Sequence, residues 1–246
     1  IETAVFFGSA AATAPRFFRP SAAGVMGAAM AVGKLRGYDV SQLLDLLGLA
    51  YSQAGGTMQA HWEGSEALAL QVGFAARAAI TAADLVEQGV TGPHDVVSGK
   101  FGYFELFETP EDLDGVLAGW GAPWKITEVA HKPFPAGRAT QAALTAILAL
   151  REQRDFAAED VASIRADVPS LIALLVGRPY TADMSPAYAR LCLEYVVPRM
   201  LLDRTVDPTR FSDEFFGQAD VAELSRRVEC HLDGNPDPNA LGPQTI

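Results

Sequence analysis

The chain has 246 residues, and 49% of them are hydrophobic, so one large or two small domains with a sizeable core can form. Its net charge of −11 and its pI near 4.8 argue against nucleic acid or an anionic membrane surface as the main partner. Cys192 and Cys230 are too few for a disulfide scaffold, and no signal peptide or bilayer-spanning run is evident. We therefore expect a cytoplasmic protein with reduced cysteines.

The first part of the chain carries helical patterns. Small residues dominate the segment 22–38, which predicts a closely packed helix with Ser21 as its N-cap. Leucines at helical spacing predict the next helix over 41–54, and the segment 65–88 carries the longest apolar stripe. Residues 1–110 are therefore predicted to form a partial all-helical domain.

The pattern changes after a linker-like stretch at 109–123. Alternating and periodic apolar residues then predict strands 126–130, 161–168 and 227–232, and helices 139–154, 186–202 and 221–226. Pro198 should kink or shorten its helix. The predicted fold class is α+β, a mostly helical domain followed by a smaller α/β lid domain at 124–246. The chain starts without a methionine and stops just after a strand-like run, so we interpret both ends as cuts through a longer protein.

The most informative segment is HKPFPAGRATQAAL, residues His131–Leu144, which joins a predicted strand to a predicted helix. A turn that opens a helix leaves free backbone N–H groups at the helix start. Lys132 and Arg138 add two cations to this turn. The segment therefore predicts a corner that binds a carboxylate or a phosphate.

Five blocks, in order, resemble the MmgE/PrpD family. WKITEVAHKPFPAGRATQAA is similar to the family's WEILEVAIKPYPCCRYTHPA, and LLGLAYSQAGG is similar to ALGIAGSQASG. The blocks are Phe18–Asp39, Leu46–Gly56, Glu63–Phe107, Trp124–Ala143 and Ser185–Glu214. The resemblance implies a large helical domain, a smaller lid domain, an active site between the two, a homodimer, and family chains that are much longer than this one.

The family's reactions move a proton on or off a carbon beside a carboxylate. Such a site needs fixed cations for the developing negative charge and a general base near the carbon. This scheme requires no metal or organic cofactor, and the four histidines lack metal-binding spacings. We therefore predict a cofactor-independent lyase or isomerase, dehydratase- or epimerase-like, for a small di- or tricarboxylic acid. The alternative is a degenerate family member that binds anions or serves as a partner subunit.

The resemblance places Lys132 and Arg138 at family positions, and we interpret both as carboxylate-binding and catalytic residues. An arginine fork meets a carboxylate through two bonds, which makes Arg138 the stronger candidate. Alternatively, Arg138 caps neighbouring carbonyls or pairs with an acid.

The loop Met58–Gly64 is the second candidate, since family members carry a lysine and a histidine there. Gln59 replaces the lysine and is assigned to substrate binding, while His61 lies one position from the family histidine and could act as the base. Glu63 is also assigned to substrate binding, and it could orient His61 or cap the helix. Alternatively, His61 is a surface or capping residue.

Three further family positions are changed. Arg19 stands where the family has histidine, and Gln141 where many members have histidine, so both are assigned to substrate binding rather than proton transfer. Arg190, in the helix predicted over 186–202, replaces a family lysine. Tyr188 and Tyr195 lie in the same segment and are interpreted as core or site residues. These changes disfavour cis-aconitate decarboxylation and are compatible with an epimerase, isomerase or dehydratase.

Overall fold

The computed structural model describes residues 1–8, 14–110, 112–242 and 244–246. These residues form two compact units, each with its own core. The first unit contains Ile1–Ala60 and Glu66–Val129, and the second contains His61–Ser65 and Ala130–Ile246. The short segment around His61 therefore belongs to the second unit, although the sequence on both sides of it belongs to the first.

The first unit consists of helices joined by short turns. The helices are α1 (Glu2–Gly8), α2 (Arg19–Ala22), α3 (Gly24–Leu35), α4 (Val40–Tyr51), α6 (Ala67–Glu87), α7 (Tyr103–Leu106) and α8 (Leu113–Ala118). Helix α5 (Gln59–Trp62) spans the boundary between the two units. A 3₁₀ helix, Lys125–Glu128, ends the first unit.

Small residues let the helices of the first unit approach closely, as the alanine- and glycine-rich sequence predicted. A Cβ added at Gly27 in α3 would lie 2.6 Å from the Cβ of Ala4 in α1, and one at Gly33 would lie 2.6 Å from Leu46 Cδ2. The aromatic residues pack into the same core, where the ring centroids of Phe7 and Tyr103 lie 4.9 Å apart. The core therefore depends on close backbone packing as much as on large side chains.

Helix α6 combines a buried alanine face with exposed large apolar side chains. Ala79, Ala82 and Ala83 are fully buried, whereas Phe74 and Ile80 are about half exposed. By length and composition this helix could also cross a membrane, a property that core helices of other proteins share. The helix predicted over 22–38 is present as the shorter helix α3.

Two local predictions in the first unit are wrong. Ser21 does not cap a helix; it lies inside α2 and its Oγ donates to the Gln71 carbonyl at 2.9 Å. The predicted strand 126–130 is instead a 3₁₀ helix over Lys125–Glu128. The Thr127 hydroxyl donates to the Trp124 carbonyl at 2.7 Å, and this local bond favours a turn over an extended strand.

The second unit combines helices with a two-stranded parallel sheet. Its elements are α9 (Gln141–Gln153), β1 (Ile164–Val168), α10 (Ser170–Val176), α11 (Pro186–Ala189), α12 (Leu193–Asp203), α13 (Asp213–Phe216), α14 (Ala219–Ser225) and β2 (Val228–Leu232). Three 3₁₀ helices, Arg138–Thr140, Ala158–Asp160 and Pro208–Arg210, lie between them. The sheet register pairs Ile164 with Val228 and Val168 with Leu232. The predicted α+β class is confirmed.

Helices α10 and α12 contact strand β2, and α9 and α14 pack against α12, around a core that includes Leu144, Tyr195 and Phe216. The helix predicted over 186–202 is two helices, because the chain at Cys192 leaves the helix and forms an isolated bridge with Gly177. Pro198 lies inside α12 without ending it. The bridge therefore joins the end of α10 to the residue that precedes α12.

Candidate functional site

The loop after α5 is anchored on the second unit through Gly64. Gly64 has a φ of +67°, and a Cβ added there would lie 2.6 Å from Tyr188 Cδ2, so this position requires glycine. The Ser185 hydroxyl donates to the Gly64 carbonyl at 2.9 Å. These contacts hold His61 inside the second unit with only 4% of its surface exposed.

Arg178 contacts His61 at two points. The Arg178 Nη2 donates to the His61 carbonyl at 2.7 Å and lies 3.2 Å from His61 Nδ1. The Arg178 guanidinium carbon lies 4.6 Å from the centroid of the Tyr188 ring, a cation–π contact. Arg178 is itself positioned by its backbone, since the Cys192 thiol donates to the Arg178 carbonyl at 3.2 Å.

This contact fixes the tautomer of His61. A guanidinium can only donate, so His61 Nδ1 must accept, and in the neutral ring the proton is on Nε2. Burial, and then the charge of Arg178, lower the pKa of His61 to about 4, while a weaker interaction with the Leu175 backbone acts in the opposite direction. At neutral pH, His61 is therefore an uncharged hydrogen-bond donor and not an imidazolium.

Hydrogen-bonding capacity is left over at both side chains. His61 Nε2 and Arg178 Nη1 are buried atoms with no partner at hydrogen-bonding geometry in the part of the chain that the structure describes. Arg178 makes no ion pair with any described carboxylate, and burial lowers its pKa. Buried polar groups without partners are uncommon in folded proteins and call for an explanation.

A pocket of about 390 Å³ lies against Arg178. Its walls are mostly apolar, and they are formed by Trp62, Ala173, Leu174, Gly177, Arg178, Pro179 and Tyr188. Trp62 is 68% exposed and Tyr188 is half-buried. An apolar pocket of this size with one cation in its wall suits a small organic anion.

Lys132 and Arg138 remain on the surface of the second unit. Lys132 Nζ donates only to the Ala136 carbonyl, at 3.4 Å, and the exposed side chain of Arg138 has no hydrogen bond or ion pair among the described residues. The strand that was expected to lead into this turn is absent from 126–130. The two cations are accessible to an anion, but no contact joins them to His61 or Arg178 in the described structure.

Gln141 fastens the turn that carries these cations. It is 5% exposed; its Oε1 accepts from the Phe134 N–H at 3.1 Å, and its Nε2 donates to the carbonyls of Phe134, Ala136 and Gly137 at 3.2, 3.4 and 3.1 Å. Its amide is occupied on both sides. The structure therefore gives Gln141 a role in holding the turn.

The remaining predicted residues are not among those that line the pocket. In the first unit, Arg19 forms a two-bond ion pair with Glu108, at 2.6 Å from Nε and 3.2 Å from Nη2, and the Glu108 side chain is almost fully buried. Gln59 is exposed, and its backbone N–H donates to Thr57 Oγ1 at 3.3 Å. Glu63 is exposed in the second unit. Arg19 therefore has a protein carboxylate where a ligand carboxylate was predicted.

Sequence reasoning named His61 and Tyr188 but missed Arg178. The signal was an arginine in LIALLVGRPY, directly after an apolar run, where a solvated cation is not expected. Tyr195, the other tyrosine considered, is fully buried in the core, and its hydroxyl donates to the Arg210 carbonyl. Among the described residues, no three His, Cys, Asp or Glu side chains converge as a metal site.

The fold and the pocket define an α+β protein whose mixed second unit presents a cation to a small apolar cavity. Comparison with known protein families also identifies the family of this chain. The chain belongs to the MmgE/PrpD family, since the MmgE/PrpD N-terminal domain matches residues 1–115 and the C-terminal domain matches residues 134–244.

Two curated relatives are cis-aconitate decarboxylases. The chain is 28% identical to the Mus musculus protein over 232 residues and 29% identical to the Homo sapiens protein over 231 residues. Each match covers 90% of this chain and 46% of the relative. The chain therefore spans about half the length of the curated relatives that it matches.

Proposed function

We propose that this chain forms part of a cofactor-independent lyase or isomerase that moves a proton next to a carboxylate of a small di- or tricarboxylic acid. Membership of the MmgE/PrpD family supports the class of reaction, and the two relatives are named as decarboxylases of such an acid. The observation that carries the proposal is the buried, neutral His61 held by Arg178.

The chemistry follows from the charges. Removing a proton beside a carboxylate places negative charge on the carboxylate oxygens, and fixed donors in a dry site stabilise that charge without reorganising. Arg178 supplies a permanent cation, and His61 Nε2–H supplies a neutral donor. We therefore assign His61 as a neutral hydrogen-bond donor that supports the developing anion instead of as the general base predicted from the sequence, and the proton that leaves the carbon is accepted by a separate base.

Lys132 and Arg138 are the further cations that we assign to carboxylate holding. Both are accessible, and Arg138 has no protein acid to compete with a ligand among the described residues. A substrate with two or three carboxylates needs more than one cation, so separate roles for Arg178 and Arg138 are consistent with this substrate class.

Exchange of the α-hydrogen for deuterium tests the proposed reaction directly. The purified chain is incubated in D₂O with citrate, malate or aspartate, and exchange at the carbon beside the carboxylate is followed by NMR. We expect exchange by the wild type, a reduction of at least tenfold for His61→Asn and for Arg138→Ala, and no change for His94→Asn, a surface histidine of the first unit. No exchange with any acid would reject the proposed function.

A degenerate, anion-binding protein is the second candidate, and one observation favours it. Three groups assigned to the site from the sequence are unsuited to catalysis. Arg19 is neutralised by Glu108, the Gln141 amide is hydrogen-bonded to the backbone of the turn, and His61 is a weak base. Acid binding measured by calorimetry, together with no α-hydrogen exchange, would support this candidate over an enzyme.

A further inference from the structure

We infer that Arg178 is the primary anion-binding residue of a carboxylate subsite, and that the pocket between Trp62 and Tyr188 receives the rest of the acid. The inference rests on the proposed function only for the identity of the ligand as an organic acid. The presence of an anion site rests on the geometry around Arg178 itself.

The first argument is the missing counter-charge. The chain carries 30 acidic residues against 19 basic ones, and several of its arginines reach carboxylates, as in Arg19–Glu108, Arg36–Asp84 and Arg227–Glu223. Arg178 contacts a neutral histidine and a tyrosine ring instead. A half-buried cation kept from acids in an acidic protein indicates that its counter-ion comes from outside the chain.

A second arginine, Arg151, resembles Arg178 but differs from it in its partners. Arg151 also has two buried nitrogens without partners, so an unpaired guanidinium is not unique to Arg178 in the described structure. The charge of Asp155, however, acts on Arg151, and its Nη2 donates to the Leu201 carbonyl at 2.7 Å. Arg178 has no such acid among its electrostatic partners, and it forms part of a pocket wall.

The second argument is the orientation of the guanidinium. One face lies on the Tyr188 ring and Nη2 is held by His61, which prevents the side chain from swinging out to solvent. Nη1, with two N–H donors, is then left over and shielded from bulk water. Low local dielectric strengthens an ion pair at such a group, and pre-positioning removes most of the entropy cost of binding.

The third argument is the fit of the cavity. Its volume of about 390 Å³ lies in the range of small-molecule sites, and Trp62, Leu174 and Tyr188 offer apolar surface to a short carbon chain. Phosphate shares the negative charge of a carboxylate but has no carbon chain to use these walls. A small organic acid is therefore the ligand that fits both the cation and the cavity.

Binding should also change His61. Arg178 is one of the causes that keep the imidazole neutral, so a carboxylate that compensates Arg178 removes that cause and makes His61 more basic. His61 thus reports occupancy of the subsite through its own titration. A merely structural role for Arg178 would not produce this coupling.

Calorimetric titration of the purified chain with malonate, citrate and inorganic phosphate tests the inference. The variants are Arg178→Met, which keeps the stem and removes the charge, Arg178→Lys, which keeps the charge and removes the fork, and Arg165→Met as the surface control paired with Asp167. We expect acid affinity to fall at least tenfold in Arg178→Met, less in Arg178→Lys, and not at all in Arg165→Met, with phosphate binding more weakly than either acid.

A measurement on the wild type guards against a variant that fails to fold. The titration of the His61 ring, followed by NMR with and without malonate, should move to higher pH when the acid is bound. Undiminished acid affinity in folded Arg178→Met, or no movement of the His61 titration at saturating malonate, would overturn the inference. Tighter binding of phosphate than of either acid would overturn the assignment of ligand class.

The exchange experiment keeps the two proposals separable. Acid binding that depends on Arg178, with no α-hydrogen exchange, supports the subsite and rejects the proposed reaction. Exchange that persists in Arg178→Met with an unchanged half-saturating acid concentration supports the reaction and rejects the subsite.

Discussion

Arg178 and His61 lie 117 positions apart in the sequence, yet one guanidinium nitrogen contacts both the carbonyl and the Nδ1 of that histidine. The contact orients the imidazole, sets its tautomer and lowers its basicity at the same time. His61, which the sequence suggested as a base, is therefore a neutral hydrogen-bond donor at neutral pH.

The depressed pKa of His61 predicts a specific pH dependence of stability. Between about pH 4 and 6.5 the unfolded chain binds a proton at this histidine and the folded chain does not, so stability rises with pH across that window. Lowering the pH from 7 to 4.5 should cost at most about 3 kcal/mol through this group. Urea denaturation should show this loss in the wild type and a smaller one in His61→Asn. His131→Asn, an exposed histidine of the same unit, should behave as the wild type, and equal slopes for all three would contradict the assignment.

Replacing Arg19 should destabilise the protein, because it leaves the buried Glu108 carboxylate without its partner. The Glu108 side chain is almost fully buried, and removing one partner of a buried pair leaves an uncompensated charge. Arg19→Met should lower the free energy of unfolding by about 3 kcal/mol, and the double variant Arg19→Met/Glu108→Met should recover much of this loss. Arg36→Met, which removes solvent-exposed pairs with Asp84 and Glu87, should destabilise the protein much less than Arg19→Met in the same denaturation experiment. A double variant no more stable than the single one would argue against the paired charges as the cause.

Gly64→Ala should disturb the His61 loop. The left-handed backbone and the approach of the Tyr188 ring both act against a side chain there, so we expect a loss of at least about 1–2 kcal/mol. Gly73→Ala is the matched control, because Gly73 lies inside α6 with open space around it and alanine favours a helix by about 0.5–1 kcal/mol. Thermal unfolding should therefore move in opposite directions for the two variants. Unchanged thermal stability of Gly64→Ala would contradict this prediction, because it would mean that the loop accommodates a side chain beside Tyr188.

Gln141→Leu tests whether this residue acts through the turn. The change removes all four bonds to Phe134, Ala136 and Gly137 and leaves buried backbone groups unsatisfied, at a cost of about 2–3 kcal/mol. Gln153→Leu, at the exposed end of the same helix, should change unfolding by less than about 0.5 kcal/mol. Acid affinity should fall only indirectly, through a loosened Lys132–Arg138 turn. If Gln141→Leu is as stable as the wild type but no longer binds acid, Gln141 contacts the ligand directly, as the sequence predicted.

Elements with strong local signals could be predicted from the sequence. The stripe from Ala67 to Glu87 and the alternation in Ile164–Val168 are properties of a few adjacent residues, and the structure has the helix and the strand there. The strand predicted over 126–130 is wrong because five residues with a strand-like pattern do not specify a partner strand. No sheet pairs with it among the described residues.

The candidate site was harder to predict because its contacts are not local. The turn at Lys132 and Arg138 was visible as a sequence motif, whereas the pairing of His61 with Arg178 requires the segment His61–Ser65 to pack against residues 178–185, which follow α10. Glu108 was not recognised as the partner of Arg19 for the same reason, since 89 positions separate them. Sequence patterns identify which residues are unusual, and the three-dimensional arrangement decides whether an arginine pairs with an acid, as Arg19 does, or lines a pocket, as Arg178 does.

The parallel pairing of β1 with β2 has a consequence for how the second unit is made. Ile164 pairs with Val228, so the sheet cannot close until the whole intervening crossover has been synthesised and folded back. Such distant pairings pay their loop-closure entropy before they gain contacts and therefore form slowly. Arg178 lies within this crossover, and on a ribosome the unit that carries it can be completed only after Leu232 has left the exit tunnel.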